Sequence, residues 1–132
     1  MKGFLTILLC SVCFLKPAKL TIIVKNIQVN KGSIVLAVFN SANSFLKKPV
    51  AQQIVNASYE TMEFSFDLPD GDYAVAIYQD ANSNRELDKS WLGFPKESYA
   101  FSKNFRPAFS APQFNDCRFK VTGQATTTII LR

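Results

Sequence analysis

Histidine is absent from the 132 residues, and no other feature of the composition removes as much chemistry. Without it there is no Ser-His-Asp or Cys-His arrangement and no His-ligated zinc or iron site. General acid–base work would fall to carboxylates, lysine or tyrosine, so an enzyme is disfavoured. Cysteine is nearly as scarce, with Cys10, Cys13 and Cys117 only. The first two form a C-x-x-C, but inside an apolar run with no redox fold around it. Charged residues make up 19% of the chain, and the basic ones are scattered, with no run beyond Lys47-Lys48. Nucleic-acid binding needs a clustered basic stripe and is not expected. Helix-period patterning of useful length is missing as well.

What is present begins with a leader. Lys2 supplies a positive start, and Phe4 to Leu15 form an apolar run of the length typical of a signal peptide, too short to span a bilayer comfortably. We assign residues 1–18 to a signal peptide and 19–132 to a single domain, with cleavage between Cys13 and Leu20. The mature chain would be periplasmic or extracellular, with no transmembrane segment. Lipoprotein processing at Cys10 or Cys13 is the less favoured route, because neither follows the small residues it prefers. Without Lys2 and Lys16 the chain holds 13 basic against 10 acidic residues, a net +3. Cys117 would be the one thiol left. It alternates with Phe119 and Val121, as a small core residue in a strand would.

The domain reads as strands divided by turns. Leu20 to Ile27 is β-branched and apolar. Ser33 to Phe39 is apolar on both faces, as a central strand should be. Ser41 to Lys48 holds one candidate helical turn around Phe45-Leu46, closed by Pro49. Thr61 to Leu68 alternates cleanly, with Met62, Phe64, Phe66 and Leu68 set against Glu63, Ser65 and Asp67. Pro69-Asp70-Gly71 predicts a tight turn with a positive φ at the glycine, and Tyr73 to Tyr78 follows. Cys117 to Val121 and Ala125 to Leu131 are two more strands, joined around Gly123. The expected fold is all-β, an antiparallel β-sandwich of about seven strands with one long aromatic-rich connection, Asp80 to Asn115. Its Trp91, Phe94, Tyr99, Phe101, Phe105, Phe109 and Phe114 either peg it to the sheet or form a platform for a glycan.

That connection opens with Asp80, Asn82, Asn84, Glu86 and Asp88, oxygen-bearing residues at alternate positions of a loop. Ca²⁺ takes six to eight oxygens, and alternate positions of a tight loop converge on one centre, Glu86 offering its backbone carbonyl. Arg85 replaces the usual turn glycine and Trp91 the usual closing glutamate, so Glu97 is the next carboxylate able to join. The plain alternative is an Asx-rich turn that binds nothing.

Leu68 to Phe114 resembles the bacterial family called domain of unknown function 2141 (DUF2141). The resemblance lies in Leu68-Pro69-Asp70-Gly71-Asp72-Tyr73, the acidic loop, and then Gly93, Pro95, Glu97, Phe101, Ser102 and Asn104, followed by Pro112 and Phe114. Asn40-Ser41 and Phe45-Leu46 match as well. It implies an exported sandwich, immunoglobulin-like or prealbumin-like, and brings Glu97 and Asn104 toward the loop, where they would complete a coordination shell or line a small pocket. Three functions follow as expectations. The first is a non-enzymatic exported binding or structural module of unknown small ligand, Ca²⁺-stabilised at residues 80–88. The second is a carboxylate-dependent envelope enzyme, glycan hydrolase-like, using Asp80, Asp88 and Glu97. The third is a module that binds another envelope protein through an exposed apolar patch.

Overall fold

The computed structural model describes residues 17–83 and 97–132, so all but the last two residues of the expected leader lie outside the described residues. Among the described residues there are eight strands: β1 (Ala18–Lys25), β2 (Ser33–Phe39), β3 (Ala51–Asn56), β4 (Met62–Leu68), β5 (Gly71–Asp80), β6 (Tyr99–Phe101), β7 (Phe119–Val121) and β8 (Gln124–Ile130). A 3-10 turn, Ser102–Asn104, and one helical turn, α1 (Phe114–Cys117), complete the elements. Three strands form one sheet in the order β4-β1-β8. Five form the other, in the order β3-β2-β5-β6 with β7 paired to the start of β5. The expected β-sandwich is the fold. All pairs are antiparallel except β1 with β8, the first and last strands, which run parallel. Among the described residues no helix is long and apolar enough to cross a membrane.

Alternation explains the three-stranded sheet. Phe64, Phe66 and Leu68 of β4 are buried while Glu63, Ser65 and Asp67 are exposed. From β1, Leu20, Ile22 and Val24 enter the same core. The doubly apolar strands need a second explanation. Ile34, Leu36 and Val38 of β2, with Tyr73, Val75 and Ile77 of β5, face the main core between the sheets. Phe39 and Ala74 face the opposite way, into a smaller cluster with Phe45, Phe114 and Cys117. Phe45 packs edge-on against Phe39 at 5.3 Å and Phe114 at 6.1 Å between centroids. The described later part of the connection, residues 97–115, therefore packs on the outer face of the five-stranded sheet. Of its aromatic residues, Phe101, Phe105 and Phe114 act as pegs, whereas Phe109 is 99% exposed and Trp91 and Phe94 lie outside the described residues.

Several local expectations need correction. Phe45 and Leu46 sit in hydrogen-bonded turns, not a helix, with the N–H groups of Lys47 and Lys48 both donating to Ser44 O. Cys117 is fully buried, as expected, but it closes α1 instead of starting a strand. Gly71 has no positive φ, unlike Gly32 and Gly123. Its turn is held by the Tyr73 hydroxyl, which donates to Pro69 O at 2.6 Å, so no left-handed residue is required there. β3 has no counterpart among the expected strands.

Candidate functional site

β5 runs out of the core at Gln79 and Asp80, both buried. Its register against β6 pairs Tyr78 with Tyr99, and the Gln79 N–H donates to Ser98 O at 2.9 Å. Continued two residues past Tyr78 and Tyr99, the register would set Asp80 opposite Glu97. The acidic segment therefore leaves β5 at Asp80 and returns at Glu97, next to β6. Both carboxylate oxygens of Glu97 are shielded from solvent, as is Asp80, which is 1% exposed.

Of the remaining loop residues, Asn82 is exposed and follows Asp80 into a turn in which the Ser83 N–H donates to Asp80 O at 3.2 Å. Asn84, Glu86 and Asp88 lie outside the described residues. Among the described residues no group of three or more His, Cys, Asp or Glu is gathered as a metal would need. Of the expected ligand set, Asp80, Asn82 and Glu97 are the described members, and Asp80 and Glu97 lie at the two ends of the segment, next to β5 and β6.

Beside them is a small cleft of about 130 Å³ lined by Gln28, Gln79, Ala81, Glu97 and Ser98. Gln79 builds one wall and is fully engaged. Its Oε1 accepts from Gln28 N–H at 2.9 Å, and its Nε2 donates to Gln28 O at 2.6 Å and Lys31 O at 2.8 Å. One side chain thereby ties the β1–β2 turn to the end of β5. Gly32 makes this approach possible: a Cβ there would lie 1.9 Å from Asp80 O, and its φ of +64° suits glycine. Neither residue stood out in the sequence. Gln79 had one signal, since its alternation with Tyr73, Val75 and Ile77 places a polar residue on the core face.

Asn104 does not join the loop. Its Nδ2 donates to Thr128 O at 3.3 Å and its Oδ1 accepts from Ile130 N–H at 3.0 Å, so the side-chain amide occupies the edge of β8 as a peptide would. Ser102, fully buried, does the same inside. Its Oγ accepts from Val75 N–H at 2.9 Å and donates to Cys117 O at 2.6 Å. The Arg106 guanidinium covers one face of the Tyr99 ring, 4.4 Å over its centroid, and donates to Tyr99 O.

A family model described as "Uncharacterized protein conserved in bacteria (DUF2141)" matches residues 22–129. No curated protein and no solved structure matches the chain.

Proposed function

The chain belongs to the family DUF2141, and we propose that it is an exported, non-enzymatic binding or structural module whose β5–β6 loop closes on a cation, Ca²⁺ being the ion its donors suit. The observation that carries this reading is the β5–β6 register, which, continued past Tyr78 and Tyr99, sets Asp80 opposite Glu97. These two residues, 17 positions apart in sequence, would face each other at the base of one loop, shielded from bulk water, and a divalent cation between them would be attracted to both. The donors are carboxylate and amide oxygens, the set that a hard cation takes and that copper or zinc does not prefer. Asp80 and Glu97 would hold the ion from the two strands. Asn82, Asn84, Asp88 and the Glu86 carbonyl would supply oxygens from the loop between them. With few formal charges in the set, affinity belongs in the range of extracellular calcium modules. The ion's contribution would be to order the loop, and the cleft beside it is where a small ligand or a group on a glycan or envelope protein would touch the ordered surface.

Isothermal titration of the purified protein with Ca²⁺ tests the reading. Saturable binding is expected. Asp80→Asn and Glu97→Gln should each weaken it by about tenfold or more, since each removes a charged ligand. Arg85→Gly, which restores the usual turn glycine, should preserve or raise affinity. Saturable binding untouched by Glu97→Gln would remove the closing carboxylate from the shell, and no binding at all would return the segment to an ordinary turn.

A further inference from the structure

The two seams of the sandwich are finished differently. On the β6–β8 side the Asn104 amide fills the β8 edge, and Tyr99 and Arg132 exchange backbone hydrogen bonds at 3.1 and 3.4 Å. On the β3–β4 side one side chain crosses: Gln53 Nε2 donates to Ser65 O at 2.9 Å. β3 is the last strand of its sheet. Among the described residues no strand pairs with its outer edge, and it has neither charge nor proline within Ala51–Asn56, two of the usual protections of an edge. Its apolar residues point to both faces, as those of a central strand do. Ile54 stands opposite buried Val35 and Val55 opposite buried Ile34, yet Ile54 is 44% and Val55 38% exposed.

The phase of β3 tells which backbone groups are on offer. The Ala57 N–H donates to Gly32 O, in register with the pairs Val55–Ile34 and Gln53–Leu36. Antiparallel bonding alternates, so Gln53, Val55 and Ala57 bond inward to β2 and its approach, and Gln52, Ile54 and Asn56 face outward. From this we propose that β3 pairs antiparallel with β3 of a second copy about a two-fold axis at Ile54, joining two five-stranded sheets into one. That register sets Ile54 against Ile54, exchanging main-chain bonds, and Gln52 against Asn56, whose carbonyl already accepts from the Ser58 N–H at 2.8 Å and would take the Gln52 N–H on its second lone pair; no side chain of the strand is charged. It also runs the basic approach to one strand, exposed Lys47 and Lys48, toward the exit of the other, where Glu60 is exposed. This charge complementarity favours a second copy in antiparallel order, because a parallel pair would bring lysines together. An isologous contact of this kind closes at two and does not propagate.

Sedimentation velocity over a concentration series, with amide exchange followed by NMR, tests the pairing. The expected result is a concentration-dependent dimer in which the Gln52, Ile54 and Asn56 amides become protected as dimer forms. Ile54→Lys places two lysines on the axis and should leave monomer throughout, and Gln52→Lys should weaken the dimer less. Ile54 is exposed in the monomer, so circular dichroism and the Tm of dilute protein should stay unchanged. A monomer at every concentration would overturn the proposal, as would a dimer that survives Ile54→Lys. Protection of these amides in monomer only on adding an extended peptide would assign the edge to a foreign strand and also overturn it.

Discussion

At the scale of single residues, the polar groups inside this protein act as pieces of missing backbone. Ser102 satisfies one strand N–H and one carbonyl at once. Ser102→Ala would leave both buried without a partner, and we expect a loss of about 2–4 kcal/mol in urea unfolding, the summed desolvation of two orphaned groups. Asn104→Ala should cost less, about 1–2 kcal/mol, because its bonds lie at the surface. Cys117 supplies a chemical readout. Burial, reinforced by Asp116 and opposed by Lys103, pushes its thiol from 9.0 to about 11. Burial and then Asp70 also raise the Tyr73 hydroxyl above 10.0. Both groups hold their protons more tightly when folded, so the stability they contribute is intact below about pH 9 and lost as pH rises through the folded values. Native protein should resist thiol reagents at neutral pH and react on unfolding, and its Tm should fall between pH 9 and 11. Rapid labelling of native protein at pH 7 would contradict that placement. The burial of Cys117 agrees with the expectation but not with its reason: Cys117 ends α1 and packs with Phe39, Phe45 and Phe114, whereas Phe119 and Val121 belong to the main core. The roles of Ser102 and Asn104 were not legible in the sequence, because their partners lie 15 to 27 positions away and no local pattern records such a pairing.

At the scale of elements, β4 and β2 could be read directly, since alternation and its absence report how many faces a strand buries. β3 could not. Ala51-Gln52-Gln53-Ile54-Val55-Asn56 is half polar and exposed at the sheet's margin, so neither period marks it. Turns were misjudged where glycine was given one meaning. Gly71 follows proline and looks like a left-handed turn residue, yet Gly32 is the glycine that the fold needs. A Cβ at Gly71 would meet only the Tyr73 ring, at 3.6 Å. Gly71→Ala should therefore change stability by less than about 1 kcal/mol. Gly32→Ala combines a left-handed backbone with a collision against Asp80 O and should cost about 2–5 kcal/mol. Chemical denaturation of the two variants side by side would check the contrast, and equal effects would contradict it.

At the scale of the whole molecule, the β-sandwich followed from strand count and turn spacing, whereas the parallel union of the first and last strands is a long-range choice that periodicity does not encode. That union bears on the proposed export. Ala18 opens β1, is fully buried and pairs with Leu68. If a leader is removed, as we propose, cleavage that keeps the strand intact would fall before Ala18, and the intact mass of protein from the native host would show a mature chain that retains it. The residues of the candidate site stand out in the sequence as an oxygen-rich loop, but the placement of Glu97 across from Asp80 follows from the β5–β6 register, which composition cannot supply. The most direct test of a cation-closed loop is the melting curve in chelator against that in millimolar Ca²⁺. An ion that binds only the native state, at one hundred times its Kd, adds about 2.7 kcal/mol, and each kcal/mol moves the Tm of a domain this size by about 2–8 °C. A rise of several degrees that disappears in Asp80→Asn and in Glu97→Gln is the expected result, and superimposable curves for the unaltered protein would contradict it.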